Sequence, residues 1–454
     1  MQSSLISKEM QNNLKSLGFN SFTAIQELAL PYVLEGKDII AKAKTGSGKT
    51  AAFGIGVIEN LDIKRHGVQV LVLTPTRELA QQVSSELRKL ARAKANTKIL
   101  LLSGGHSFGY QLSSLKHEAH IVVGTPGRVL KHLKKGSLKL DKLNTLILDE
   151  ADRVLDMGFI SEVEEIISFT NKGKNTLLFS ATFNEEIREI SKKFQNSPIE
   201  IEAKDSEDKP LIEHYFYDIS NKNKQEAIVD LLSHFKPKST IIFVNTKIEA
   251  SNLANYLYSL NIDAKAIHGD LEQIERSDTL IEFANESICV LVATDVAARG
   301  LDIKGAELVI NYDLPRDIAI YIHRVGRVGR AGAKGVAISL RGKECEICQE
   351  IKEHYKNELT LKELSTKKRE SGFKLEAKYK TISILGGRKD KLRAGDILGA
   401  LAKNGGFKGS DIGKIDISDR DSFVAIKQEI ADSVYKFLQN AKIKNRKFRV
   451  EMLS

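Results

Sequence analysis

The segment AKTGSGKT at 43–50 places small residues and glycines ahead of a lysine and a threonine, between an apolar run and a helical pattern. Glycines let backbone N–H groups converge on an oxyanion, and the helix start adds its positive end. Ala43, Lys44, Thr45, Gly46, Ser47 and Gly48 thus predict a phosphate-binding loop, with Lys49 neutralising charge and the Thr50 hydroxyl able to ligate Mg²⁺. Further along, Asp149-Glu150-Ala151-Asp152 ends the apolar run NTLIL. A strand that delivers adjacent carboxylates supplies the other half of such a site: Asp149 would hold Mg²⁺ through water, and Glu150 would orient or deprotonate the attacking water. In a third cluster, HRVGRVGR at 323–330, arginines spaced by three suit guanidinium groups reaching a γ-phosphate across a cleft. Together these parts predict ATP hydrolysis in a site completed only when two domains close.

Positioning such groups takes strands that end on them. From 39 to 201, apolar runs alternate with helical patterns, among them VQVLVLTP at 68–75, KILLL at 98–102, HIVVGTP at 120–126, NTLILDE at 144–150 and NTLLFSAT at 175–182. Runs rich in Val, Ile and Leu without two-residue alternation describe strands buried on both faces, hence an α/β parallel sheet with helices on each side. After AKDSEDKP at 203–210 the pattern restarts, with STIIFVNT at 239–246, ICVLVATD at 288–295 and GVAISL at 335–340. Two tandem domains follow, at 1–205 and 210–360. A charged stretch at 361–378 reads as a basic linker. Residues 379–454 predict strands at 381–385, 412–417, 422–426 and 447–453 around helices at 394–403 and 430–438, the βαββαβ order of RRM-like domains.

The chain has 454 residues, 42% hydrophobic and 28% charged, a balance that excludes a disordered or fibrous protein. Its formal net charge of +10 is unevenly placed: residues 365–454 hold 21 basic and 11 acidic side chains, leaving 48 of each sign before them. A neutral body with a basic appendage points to a polyanion-binding module. Cys289, Cys345 and Cys348 are too few to staple the chain, and no second pair completes a zinc site with Cys345-x-x-Cys348, which reads as two thiols one turn apart on a helix. No apolar run reaches about 18 residues and the start lacks a secretory pattern, so a cytoplasmic protein is expected.

In order along the chain, GFNSFTAIQ at 18–26, AKTGSGKT at 43–50, PTREL at 75–79, GG at 104–105, TPGR at 125–128, DEAD at 149–152 and SAT at 180–182 resemble the DEAD-box RNA helicases. IIFVNT at 241–246, HGDLEQIER at 268–276, ATDVAARGLD at 293–302 and HRVGRVGR at 323–330 continue the resemblance. It implies two RecA-like domains and ATP-dependent unwinding of short RNA duplexes. By position, Phe19 and Gln26 would read adenine, and Asp302 would lie near the ribose. Ser180 and Thr182 would couple hydrolysis to strand separation, His323 would meet that segment, and Arg327 and Arg330 would be the γ-phosphate fingers. RNA backbone contacts would come from Pro75, Thr76, Arg77, Gly105, Thr125, Arg128, Gln273, Arg276, Thr294, Asp295, Arg299 and Gly300. Hydroxyls, amides and arginines suit contacts that read phosphate and 2′-hydroxyl rather than base identity. Phe22 and Val328 stand where the family usually has proline and threonine.

The stretch at 385–426 resembles the C-terminal domain of a bacterial member of that family directed to large-subunit ribosomal RNA. The resemblance implies binding to a 23S rRNA hairpin near the peptidyl-transferase centre and a role in assembling the 50S subunit. In the strand SFVAI, Phe423 is aromatic, but Ile426 and Ser422 depart from a base-stacking motif. The RNA surface is therefore expected at Arg388, Lys389, Lys391 and Arg393, in the loop after the first strand. A general RNA-chaperone helicase and an ATP-gated RNA clamp without rRNA specificity stay open as alternatives.

Overall fold

A computed structural model describes residues 5–453 apart from 44–45, 106, 184, 204–211, 220–222, 299–304, 329–334, 342–346, 356–358 and 364–371. In its first unit, short apolar runs form β1 (Ile39–Lys42), β2 (Val70–Leu73), β3 (Ile99–Leu102), β4 (Ile121–Gly124), β5 (Thr145–Leu148), β6 (Asn175–Ser180) and β7 (Ile199–Glu202). They pair in parallel in the order β3-β4-β2-β5-β6-β1-β7. Successive side chains enter two separate cores: Val72, Ile147 and Phe179 on one face, Leu71, Leu146 and Leu178 on the other. Burial on both faces explains why the inner strands β2, β4 and β5 show no polar alternation, whereas the edge strand β7, IEIE, alternates and exposes Glu200 and Glu202.

The second unit repeats the plan. Its strands are β8 (Ile212–Asp218), β9 (Thr240–Val244), β10 (Ala264–Ile267), β11 (Val290–Thr294), β12 (Leu308–Asn311), β13 (Gly335–Arg341) and β14 (Leu359–Glu363). They are again parallel, in the order β10-β11-β9-β12-β13-β8-β14. Shifted by seven, this is the order of the first sheet, so both α/β domains share one RecA-like topology.

The same unit carries a third, antiparallel sheet of β15 (Tyr379–Ile384), β16 (Ile412–Ile417), β17 (Ser422–Lys427) and β18 (Val450–Met452), in the order β16-β17-β15-β18. With helices Ala394–Gly399 and Ala431–Asn440 between strands, it is the βαββαβ arrangement the sequence predicts. Ile382, Ile384, Val424 and Ile426 face the helices in one core. The alternate residues Thr381, Ser383, Phe423 and Ala425 lie on the opposite face, and they too are buried. On that face the Thr381 hydroxyl accepts from Asn285 Nδ2 at 3.1 Å and meets Ser287 Oγ at 2.8 Å. The antiparallel sheet thus docks against the end of helix Gln273–Ala284 in the second α/β domain.

Two expectations meet a different structure. Part of the 361–378 segment is no tether: β14 runs to Glu363, Phe373 and Ala377 enter the second core, and Leu375 bridges to Ile262. The alternation F-K-L-E-A at 373–377 is a strand-like signal that the surrounding charge obscures. Cys348, expected as a free thiol, is disulfide-bonded at the start of helix Ile347–His354, and Cys345 lies outside the described residues. No described helix is long and apolar enough to cross a membrane.

Thr381→Val keeps the side chain's shape and removes its hydroxyl. Stranding the amide of Asn285 costs about 1–3 kcal/mol, so amide exchange along β15 should accelerate while that of β9 is unchanged. Unaltered exchange in β15 would show that the docking contact carries no stability.

Candidate active site

Because both faces of each parallel sheet are covered, polar groups collect where the strands end. The strand order divides them in two. In the first unit the neighbours β1, β6 and β5 lead into the phosphate loop, SAT and DEAD segments, whereas β2, β4 and β3 lead into PTREL, TPGR and the glycine pair.

In the first group, Gly46 and Gly48 adopt φ of 87° and 93°, the left-handed region that glycine enters without strain. A Cβ on Gly48 would also strike the Gln26 amide. Gln26 is buried and ties the loop down: Nε2 donates to Gly48 O at 3.2 Å, while Oε1 accepts from Thr23 N at 3.0 Å. Thr23 Oγ1 donates to Ser47 O at 2.8 Å. Lys49 opens helix Lys49–Glu59 with its Nζ turned back onto Ala43 O at 3.0 Å, and Thr50 follows half-buried. The loop is tied to β6 by Ala43 N donating to Ser180 O at 2.9 Å. Phe19 packs against the same core.

Asp149 follows β5 and is buried. Burial pushes its carboxyl up to about 6, against the opposing pull of the Lys49 charge. Glu150 has φ of 52°, a strained backbone for a non-glycine residue, and is 4% exposed. Its Oε2 accepts from Arg153 Nη1 at 2.6 Å, a fully buried ion pair. Asp152 Oδ2 accepts from Ala181 N at 3.1 Å, and Ser180 Oγ accepts from Thr182 N at 3.3 Å, which joins the DEAD turn to SAT. Sequence reasoning missed Arg153 and Thr23; the available signals are a cation three residues after Glu150 on a helix, and a capping threonine three before Gln26.

In the second group, Pro75 and Thr76 are buried and Arg77 is exposed; Thr76 Oγ1 caps helix Arg77–Leu90 by accepting from Leu79 N. A Cβ on Gly104 would fall 2.5 Å from Arg77 Nε, and Gly105 turns the chain at φ of 82°. Thr125 opens helix Pro126–Lys134, and its N–H donates to Leu102 O at the end of β3. Burial and the nearby Arg77 charge push the Arg128 guanidinium down, which puts the two arginines within electrostatic reach.

In the second unit, buried Arg324 gathers the ends of β9, β11 and β12. It donates to both Asp295 oxygens at 2.7 and 2.8 Å, to Asn245 and Asn311, and to Asp313 O. The Asp295 carboxylate, expected near RNA, is thereby occupied. Thr294 is buried at the end of β11, and Gln273 and Arg276 are half-buried in helix Gln273–Ala284. His323 is half-buried in the last turn of helix Ile318–Val325, and Arg327 is buried just beyond the helix's Gly326 cap. Lys44, Thr45, Arg299, Gly300, Asp302 and Arg330 lie outside the described residues. In the third sheet's domain, Arg388, Lys389, Lys391 and Arg393 are all exposed. Their loop is pinned through Arg388 N to Ser418 O and Lys389 N to Asp419 O.

Residues 23–190 match the DEAD/DEAH box helicase family, 223–332 the helicase conserved C-terminal domain, and 381–452 the DbpA RNA binding domain. ATP-dependent RNA helicase DbpA of Escherichia coli is 47% identical over 97% of this chain and 96% of its own. The Bacillus subtilis protein of the same name is 40% identical over 98% and 97%. Among solved structures, S. cerevisiae Dbp5 bound to RNA and ADP BeF3 is similar with a TM-score of 0.72 and 30% identity, over 80% of this chain and 95% of that one. Matched along nearly its whole length, with the motifs gathered at the strand ends of two RecA-like sheets, the chain belongs to the DEAD-box ATP-dependent RNA helicases and is an RNA-stimulated ATPase.

Proposed function

We propose that this helicase is addressed by its C-terminal domain to a hairpin of 23S ribosomal RNA and unwinds short duplexes nearby during 50S assembly in the cytoplasm. The observation that carries the addressing is the state of the antiparallel sheet. Its outer face, where RNA-recognition domains stack bases, is buried, with Thr381 bonded to the second α/β domain, while the pinned basic loop at 388–393 stays exposed. RNA is then read by loop and charge, which suits a folded hairpin better than a single strand.

For hydrolysis, the loop amides at 43–48, with Lys49 released from Ala43 O, take the phosphates, while Phe19 and Gln26 meet adenine and Asp302 the ribose. The oxygen donors Thr50 and Asp149 fit a hard cation, and a buried carboxyl held partly protonated gains most from one. Bound Mg²⁺ would neutralise phosphate charge there. Glu150, oriented by Arg153, takes the proton of the attacking water. Arg327 and Arg330 counter the charge on the γ-phosphate, and His323, Ser180 and Thr182 pass the state of the site to the RNA-binding turns. RNA contacts come from Pro75, Thr76, Arg77, Gly105, Thr125 and Arg128 in the first unit. Gln273, Arg276, Thr294, Asp295 through its backbone, Arg299 and Gly300 supply them in the second.

Glu150→Gln keeps the shape and removes the base, and turnover should fall about 10²–10⁴-fold while ATP-dependent RNA retention lengthens; undiminished turnover would refute the role. Protons and Mg²⁺ compete for Asp149, so lowering pH below about 6 should raise the Mg²⁺ needed for half-maximal rate, and excess Mg²⁺ should restore activity. A Mg²⁺ requirement indifferent to pH would remove Asp149 as ligand. ATPase stimulation should be far greater with RNA containing the 23S hairpin than with unrelated RNA of equal length, and replacing Arg388, Lys389, Lys391 and Arg393 by alanine should erase the difference. Equal stimulation of the unaltered protein by both RNAs would leave a general helicase.

A further inference from the structure

We infer that Gln111 is a positioning residue that holds the glycine turn after β3 and the Arg128 turn after β4 at a fixed spacing for RNA. The inference rests on the reading of those turns as RNA contacts. Gln111 lies between the GG and TPGR segments and belongs to neither. It is the one buried residue of helix Phe108–Leu115, at 2% exposure, while Tyr110 and Leu112 of the same helix are exposed. A helix that turns tyrosine and leucine to solvent and buries an amide has reversed the usual preference, and burying an amide is favourable only if each polar atom finds a partner.

Each does. Oε1 accepts from Arg128 Nη1 at 2.9 Å and lies 3.2 Å from His132 Nε2, while Nε2 donates to Ser103 O at 2.9 Å. A guanidinium only donates, so Oε1 must be the atom facing Arg128, and this settles the amide's orientation. His132 Nε2 must in turn carry the proton it offers to Oε1, leaving Nδ1 toward Ser137 Oγ at 2.9 Å. Burial, with the Arg128, Lys131 and Lys135 charges, pushes the imidazole down to about 4, so it is the neutral tautomer that serves. Phe108 stacks on the ring, with centroids 4.1 Å apart and planes 11° from parallel.

One amide therefore grips the carbonyl just before Gly104-Gly105 and the side chain of Arg128. These are the two parts of the surface with most freedom to lose: a glycine turn and a long flexible side chain. Arg77 lies against Gly104, so the grip extends to the PTREL turn as well. Fixing the groups before RNA arrives lowers the ordering cost of binding.

The test compares the RNA concentration for half-maximal ATPase stimulation, and the plateau rate, in the full-length protein and its variants. Gln111→Leu should raise that concentration about tenfold, roughly the loss of one charge-assisted hydrogen bond, with the plateau retained. Gln111→Glu still accepts from Arg128 and His132 and should fall between wild type and Gln111→Leu. In a merely structural site the buried charge would reverse that order. Combined with Arg128→Ala, Gln111→Leu should add little to the effect of Arg128→Ala alone. Unchanged RNA dependence in Gln111→Leu, a Glu variant worse than the Leu variant, or full additivity would each overturn the inference. If Arg128→Ala itself leaves RNA dependence unchanged, the assignment of the TPGR turn to RNA fails and Gln111's role with it; a weakened Arg128→Ala beside an unaffected Gln111→Leu defeats the Gln111 inference alone.

Discussion

Burial of parallel strands on both faces is the constraint from which the rest of this molecule follows. A strand walled by helices above and below has no side chain to offer solvent, and its backbone is spent on the ladder. Chemistry is left to the turns at the strands' carboxyl ends. The order β3-β4-β2-β5-β6-β1-β7 then decides which turns meet, and it divides them cleanly between the phosphate-loop, SAT and DEAD turns and the PTREL, TPGR and glycine-pair turns. The two groups share one sheet, and β2 and β5 are direct neighbours at the boundary.

At these ends the polar groups are buried, and almost every one that matters is held by a second. Arg153 holds Glu150, Gln26 holds the loop through Gly48 O, Asp152 holds SAT, and Arg324 draws together three strand ends in the second unit. In low dielectric an unpartnered group is expensive and a partnered one is rigid. The same physics that stabilises the turns also fixes their shapes. Asp149 Oδ1 accepts from Glu150 N at 3.0 Å, and burial still raises the proton affinity of this carboxyl despite Lys49.

The C-terminal domain follows a different economy. Its basic excess leaves the α/β body neutral, and its sheet gives up its outer face to the second α/β domain through Thr381, Asn285 and Ser287. A base-stacking platform is exchanged for a fixed attachment, and the exposed loop at 388–393 is carried at a set distance from helix Gln273–Ala284. The segment 373–377, charged enough to read as a linker, contributes Phe373 and Ala377 to the second core.

The sequence by itself determined the α/β class, the tandem repeat, the βαββαβ tail and the motif-bearing turns. Those signals are local: doubly buried strands lack alternation, left-handed turns demand glycine at 46 and 48, and a strand end with two carboxylates is visible in four letters. Only the tertiary structure decided which turns are neighbours, that Gln111 points inward while Leu112 does not, that Arg324 closes a ring with Asp295, and that the third sheet is covered. Each of these depends on pairing between residues far apart in the chain, and a side chain's burial is set by what folds over it rather than by its own type.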